Sequence, residues 1–320
     1  MGKCINFFLI LCEFTQHYDN FFVLIIELNN FYAMKLYNNI LIVTDFNETS
    51  LNLCLKCYKH LFSKNSSLHL LNIVEENGFF SRLFDSYNNS LENCVESKFP
   101  LIKQRIQDSF GLEIIPHVKK GNISKEIVNF CKEENIDLII LLVSNEETTE
   151  VIGANTHKLL RLTNIPILAL KQSYQEKEIK NILIPLELYL SSRQKVADAI
   201  AWAKHYNAKI TMCSGIWDKE KEISFRVTKI GETTKEFIES KGIDCDWIIF
   251  ENLKSSKDFT EKIINYANSP ESNIDIVMVM NKDESEEFRI DDRGREIIRL
   301  SQTPVLCIPL RKTGMSANFL

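Results

Sequence analysis

The chain has 320 residues, of which 45% are hydrophobic and 25% are charged, and its formal net charge is −5 at pH 7. This composition excludes an intrinsically disordered protein, and the acidic balance argues against a nucleic-acid binder, which normally carries a basic face. The length suits two domains of ordinary size. The nine dispersed cysteines, an odd number, indicate reduced thiols in the cytoplasm rather than a disulfide framework.

The first 33 residues differ in character from the rest of the chain. Two apolar runs, Phe7–Leu11 and Phe21–Ile26, are each far shorter than the roughly 20 residues that a membrane-spanning helix needs. Glu13 closely follows the first run and no small-residue cleavage site is visible, so secretion is not expected. We interpret residues 1–33 as translated upstream sequence or a disordered leader, with translation starting at Met34. A short anchor at a membrane surface is the alternative.

Five strands are predicted in the first half of the chain, in order near residues 39–45, 67–75, 113–119, 137–144 and 166–171. The run Asp137–Val143 is apolar on both faces, which is typical of a strand that helices cover on both sides of a parallel sheet. A helix is predicted after the first strand, because an apolar stripe with helical spacing is formed by Cys54, Cys57, Tyr58 and Leu61. Another follows the third strand, with Ser124 interpreted as its N-cap and an apolar stripe formed by Ile127, Phe130 and Cys131.

The second half of the chain repeats the first half. Three blocks recur in the same order: Asn39–Val43 as Asn181–Pro185, Asn135–Ile140 as Asn273–Met278, and Asn164–Leu168 as Gln302–Leu306. The first helical stripe also recurs, as Val196, Ala199, Ile200 and Ala203. We therefore predict an α/β protein of two tandem domains, each with a doubly wound, five-stranded parallel sheet. The domains comprise residues 34–172 and 179–312, with a linker at 173–178 and a tail at 313–320.

Three segments of the first half form a specific combination. They are the opening strand that ends in Thr44 and Asp45, the segment Gly121–Ile127, and the loop, helix and strand of Gly153–Leu170. Together they resemble a domain of the universal stress protein family, and the resemblance covers nearly all of residues 34–311. It implies an adenine nucleotide alpha hydrolase-like fold. It also implies a cytoplasmic protein of the stress response, whose relatives act as nucleotide-linked regulators or as partners of other proteins.

The resemblance also implies where a nucleotide would bind. In ATP-binding members of the family the nucleotide lies at the carboxyl ends of the strands. An Asp at the end of the first strand contacts the adenosine end, and a glycine loop lets backbone N–H groups approach the phosphates closely. On this basis the candidate nucleotide-binding residues are Thr44, Asp45, Ile73, Val143, Gly153, Asn155 and Thr156.

Both halves depart from the family's glycine loop. In the first half, Val143–Glu146 replaces the two earlier glycines and Ala154 replaces the final hydroxyl residue. In the second half, Glu187 takes the position of the acid, and Asp291 takes that of the last glycine. These losses favour a regulatory or interaction protein with weak or absent nucleotide binding. The alternatives are an adenine-nucleotide sensor that binds ATP in the first half alone and, more remotely, a slow ATPase.

No catalytic residue and no metal site is predicted. Cys54 and Cys57 lie on the apolar helix stripe without a second pair at zinc-site spacing, so they are interpreted as core residues. His69 and His117 lie in strand patterns with no identifiable partner, and His157 adjoins the altered loop. We expect no enzyme activity, no cofactor other than the alternative of ATP, no nucleic-acid partner and no transmembrane segment. Other proteins, of unknown identity, are the expected partners.

The last strand of each half is apolar. An unpaired edge formed by Ile167–Leu170 or by Val305–Ile308 would be an aggregation hazard. Single-domain members of the family commonly form dimers through these strands, so the resemblance implies that the two halves pair about a pseudo-twofold axis. The chain would then be a pseudo-dimer within one molecule, and a further homodimer is left open.

Overall fold

The computed structural model describes residues 36–44, 48–62, 66–74, 97–143, 158–186, 191–217, 221–280 and 292–310. Within these ranges the chain forms one sheet of ten strands, with helices packed against both faces. The predicted leader (1–33), the predicted start at Met34 and the predicted tail (313–320) lie outside the described residues.

The first half alternates strands and helices as predicted. Its elements are β1 (Asn39–Val43), α1 (Glu48–Phe62), β2 (Ser67–Val74), α2 (Phe99–Phe110), β3 (Ile115–Lys120), α3 (Ile123–Glu133), β4 (Leu138–Leu142), α4 (described over 158–162) and β5 (Ile167–Leu170). Each predicted strand end lies within about two residues of the observed one, which is the usual precision of strand boundaries. The predicted stripes of α1 and α3 are buried.

The second half repeats this order. Its elements are β6 (Asn181–Pro185), α5 (Ser191–Tyr206), β7 (Lys209–Trp217), α6 (Lys221–Ser240), β8 (Cys245–Leu253), α7 (Ser256–Asn268), β9 (Ile276–Met280), α8 (Asp292–Leu300) and β10 (Val305–Ile308). The predicted stripe of α5 is buried at all four positions. In the ranges given above, every helix falls short of the length and apolar character that a bilayer crossing requires.

The strand order in the sheet is β3-β2-β1-β4-β5-β10-β9-β6-β7-β8. Each half is doubly wound, because the direction of winding reverses between β1 and β4 and again between β6 and β9. The strands pair in parallel, except that β5 and β10 are antiparallel, with Leu168 opposite Leu306 and Ala169 opposite Val305. The final strands therefore pair as the sequence predicts, and two five-stranded sheets become one.

Two hydrophobic cores lie on opposite faces of this sheet. Helices α1, α2, α5 and α6 pack on one face, and α3, α4, α7 and α8 pack on the other. Each core includes residues of both halves. The continuous apolar runs of the central strands are explained by this arrangement, since their side chains are buried on both faces.

An aromatic contact joins α1 to α5 on the first of these faces. Trp202 is 1% exposed and packs edge-on against Tyr37 and Phe62, with ring centroids 6.1 and 6.0 Å away. The Tyr206 hydroxyl donates a hydrogen bond of 2.9 Å to the carbonyl of Leu61, at the end of α1. The halves are therefore joined by helix packing as well as by strand pairing.

Candidate functional site

The first-half crevice lies at the carboxyl edge of the sheet, between β1 and β4. Thr44 and Val143 directly follow these strands, and both are buried. Their backbone N–H groups donate to the carbonyls of Leu71 and Leu170, at 2.9 and 2.8 Å. The Asn72 side chain donates from Nδ2 to the carbonyl of Thr44 at 2.9 Å. The backbone at this edge is thus held by hydrogen bonds to the neighbouring strands.

Three of the seven predicted nucleotide-binding residues lie together at this edge. Thr44, Ile73 and Val143 stand at the carboxyl ends of β1, β2 and β4. They supply one hydroxyl and two apolar side chains. The other four, Asp45, Gly153, Asn155 and Thr156, lie outside the described residues.

Helix α3 begins beside the crevice with a different cap from the predicted one. The Asn122 side chain accepts a hydrogen bond from the N–H of Lys125, in extended backbone geometry, so Asn122 is the N-cap and the assignment of Ser124 is wrong. Gly121, with φ of 143°, forms the turn before the helix. The helix therefore starts before Ser124, which lies in its first turn and is fully buried. Lys158 of α4 places its Nζ 3.5 Å from Asn122 Oδ1, which brings a cation to the start of α3.

In the second half, side chains of the protein fill the position that corresponds to Ile73. Gly215 in β7 stands where Ile73 stands in β2, because the two strands have the same register in their halves. A Cβ atom at Gly215 would lie 2.7 Å from Leu253 and 3.1 Å from both Phe259 and Trp217. A methyl group at this position would therefore require the Leu253 side chain to move.

Arg293 of helix α8 packs against Phe259, one of the residues beside Gly215. Its guanidinium lies 5.2 Å from the ring centroid of Phe259 and donates to Ser256 Oγ at 3.0 Å. A Cβ atom at Gly294 would lie 3.1 Å from the carbonyl oxygen of Met280, so α8 also approaches the end of β9 closely. The sequence did not lead to a prediction for Trp217, Phe259 or Arg293. In the second half only the acids Glu187 and Asp291 were considered. The available signal was Trp217, which lies two residues after Gly215.

A cavity of about 460 Å³ lies on the other face of β2 from Ile73. Helices α1 and α2 form its walls and Asn72 forms its floor. Its size is in the range that small-molecule sites occupy. The signal in the sequence was Asn72 itself, a polar residue in an otherwise apolar strand end, and it was overlooked.

Neither the cysteines nor the histidines form a reactive site in the described part of the chain. Burial raises the pKa of Cys54 to about 12 and also raises the pKa of Cys57, so both remain thiols at neutral pH. His69 and His117, which lacked a partner in the sequence, contact each other, with ring nitrogens 3.2 Å apart. Across the described ranges, no group of three His, Cys, Asp or Glu residues could hold a metal ion.

The fold and crevice define a doubly wound α/β protein of the kind that binds ligands at a topological switch point. Residues 36–171 match the sequence profile of the Universal stress protein family, and this part of the chain is a domain of that family. No curated protein matches the chain.

Solved structures share the fold over most of the chain. A universal stress protein from Archaeoglobus fulgidus DSM 4304 superposes with a TM-score of 0.66 at 16% identity, covering 87% of this chain and 99% of its own. A functionally unknown protein from Pseudomonas aeruginosa PAO1 gives 0.54 at 14% identity, covering 85% and 92%. At these identities the likeness concerns the fold alone.

Proposed function

We propose that the chain is a regulatory or interaction protein of the stress response, of the universal stress protein type, with weak or absent nucleotide binding. The proposal is supported by the packing at Gly215 in the second half, where Leu253, Phe259 and Trp217 take the place that corresponds to Ile73 in the first half. Packing of this kind favours a role for the second half in interactions over a role in ligand binding. We further propose that the protein acts in the cytoplasm through protein partners and is not an enzyme.

Calorimetric titration of the full chain with ATP tests this proposal. We expect no heat, or a dissociation constant of roughly millimolar or weaker. Native mass spectrometry of the freshly purified protein should find no co-purified nucleotide. Micromolar binding of ATP would contradict the proposal and favour the second candidate.

That second candidate is an adenine-nucleotide sensor that uses the first half alone. It is favoured by the exposure of part of Ile73, whose counterpart Gly215 is covered, and by Lys158 at the start of α3. If ATP binds, Asp45→Ala should abolish the binding. The matched control is Glu187→Ala, which changes the equivalent acid in the second half and should have no effect. Equal loss in both variants would mean that the nucleotide binds elsewhere.

A further inference from the structure

Strand β8 is an edge of the sheet. In the part of the chain that the structure describes, it pairs with β7 and with no other strand. The N–H of Ile210 in β7 donates to the carbonyl of Asp244 at 2.9 Å, and the backbone groups of successive residues in a strand point in alternate directions. Three residues of β8 therefore direct their N–H and C=O groups away from β7: Cys245, Trp247 and Ile249.

The opposite edge of the sheet, β3, is protected against a further strand. The Gly121 N–H donates to the carbonyl of Val74 in β2 at 3.0 Å, so the even-numbered residues of β3 direct their backbone groups outward. They include Pro116, which has no N–H, and Lys120, and both residue types are common at strand edges that must not pair. Trp247 stands in β8 where Pro116 stands in β3. Strand β8 itself contains neither proline nor lysine, so it lacks this protection.

Apolar side chains lie along the β8 edge. Helices α6 and α7 pack against the two faces of this strand. Four consecutive residues nevertheless stay partly exposed: Trp247, Ile248, Ile249 and Phe250. Every residue of the central strands β6 and β9 is buried, because these strands have a neighbour on each side. A further strand beside β8 would cover its exposed apolar surface in the same way.

The charges of β8 favour a basic partner. The strand contains two exposed acids, Asp246 and Glu251, and no basic residue. Lys209 of β7 already pairs with Asp246 at 2.8 Å, so Glu251 is the better position at which to test the charge preference. Opposite charges on neighbouring strands are favourable and like charges are not. A second copy of β8 would add two more acids at this edge, whereas a strand that carries arginine or lysine complements it.

We propose that β8 binds an extended segment of a partner protein, which adds to the sheet as a further strand. The backbone of this segment exchanges hydrogen bonds with Trp247 and Ile249. Its side chains are mostly apolar and β-branched, with a basic residue beside Glu251. The inference rests on the proposed function as an interaction protein, and it identifies the surface and the kind of partner.

Fluorescence anisotropy with labelled peptides and the full chain tests the proposal. The probe alternates valine and threonine and has arginine at both ends, and a second peptide has glutamate at both ends instead. We expect the arginine peptide to bind saturably, and the glutamate peptide to bind roughly tenfold more weakly. Glu251→Lys should reverse this preference. The matched control is Glu113→Lys, which makes the same charge change at an exposed position just before β3 and should leave the preference unchanged.

Ile249→Pro tests the backbone contacts. It removes an N–H that points away from β7, so the ladder to β7 and the hydrogen bond of 3.1 Å from Trp247 Nε1 to Ser214 Oγ are retained. The variant should fold, which circular dichroism checks, and should no longer bind the arginine peptide. If it misfolds, an arginine peptide with N-methyl groups on alternate residues makes the same test on the unaltered chain, and the N-methyl peptide that cannot donate to β8 should not bind.

No binding of the arginine peptide by the unaltered chain, or unchanged binding in a folded Ile249→Pro variant, would overturn the proposal. A dimer of the unaltered chain that Ile249→Pro converts to a monomer would also overturn it, because β8 would then pair with a second copy. Binding of ATP is measured separately. Micromolar ATP binding would contradict the proposed function and leave the peptide result standing, whereas failure of the peptide test would contradict only the role of β8.

Discussion

Asp137 and Asp275 anchor the amino edge of the sheet in their two halves. The Asp137 carboxylate accepts the N–H groups of Asn38 and Asn39 at 2.7 and 3.1 Å. Asp275 accepts those of Lys180 and Asn181 at 2.7 and 2.8 Å. The repeated Asn-Ile-Asp pattern that revealed the two halves therefore reflects strand anchoring, at the edge opposite to the candidate site.

Asp275→Ala is expected to lower the free energy of unfolding by about 1–3 kcal/mol, because two N–H groups lose their acceptor. Asp137→Ala should have a smaller effect, since Asp137 is only half-buried. Urea denaturation of the full chain measures both. The control is Asp108→Ala, which removes only an exposed contact with Gln104. A loss as large in the control would contradict this assignment.

The His69 and His117 rings form a hydrogen-bonded pair across β2 and β3. Their planes differ by 13° and their centroids lie 5.4 Å apart, although the facing nitrogens are only 3.2 Å apart. The rings are therefore placed end to end and share one proton between the nitrogens, which requires at least one neutral ring. Phe130 packs edge-on against both rings.

Stability should fall as the pH is lowered below the ordinary pKa of histidine, about 6.5. Burial lowers the pKa of both His69 and His117. As the pH falls, the unfolded chain therefore takes up protons on these two histidines before the folded chain does. The stability that the neutral pair contributes is complete above the pKa of histidine in the unfolded chain, and it is lost as the pH falls towards the pKa in the folded chain. Glu134 opposes this shift for both rings, and Lys119 and Lys103 reinforce it for His117.

Urea denaturation between pH 8 and 5 tests this pH dependence. The free energy of unfolding of the unaltered chain should decrease more steeply over this range than that of a variant with His69→Gln and His117→Gln. Other groups titrate in both proteins, so the difference between the two slopes isolates the histidine pair. Parallel slopes would show that the pair has no part in the pH dependence.

Among the helices, the contact between α1 and α5 contributes strongly to joining the halves. Trp202→Ala should lower the free energy of unfolding by about 3–5 kcal/mol, the usual range for removing a buried large aromatic side chain. Tyr206→Phe keeps the ring and removes only the hydrogen bond to Leu61, so a loss of about 1 kcal/mol is expected. Chemical denaturation followed by circular dichroism measures both. Equal effects would mean that Trp202 contributes little by packing.

The antiparallel pair β5–β10 is the corresponding contact between strands. Leu168→Asp introduces a charge at a position that is 0% exposed and faces Leu306, and should cost more than about 4 kcal/mol. Leu162→Asp is the control, because Leu162 is 46% exposed. Unchanged stability of Leu168→Asp would contradict the strand pairing.

For the whole molecule, we expect a monomer in solution. The final strands of the two halves, β5 and β10, are already paired with each other within the chain. Light scattering should therefore give the mass of one chain. A stable dimer would require a different surface from β5 and β10.

The large-scale arrangement was predictable, whereas the contents of the crevices were not. The strands could be located because runs such as Asp137–Val143 are largely apolar. The join of the sheets was implied by the resemblance to the universal stress protein family, and the two apolar final strands were consistent with it. The partners of His69 and Trp247 were not predictable, because they depend on the register of neighbouring strands. The four predicted site residues outside the described ranges remain predictions.

In the part of the chain that the structure describes, β3 and β8 are the outer strands of the sheet, and they limit how far it could grow between molecules. One edge, β3, contains Pro116, which has no N–H to donate, and two lysines. The other edge, β8, has no proline and no lysine. Head-to-tail addition of β3 to β8 would build an open fibre, but the edge at β3 resists it. Pairing of β8 with β8 of a second chain uses the same edge of both molecules, so that edge is no longer available in either chain. Pairing through β8 can therefore produce a dimer but not a polymer.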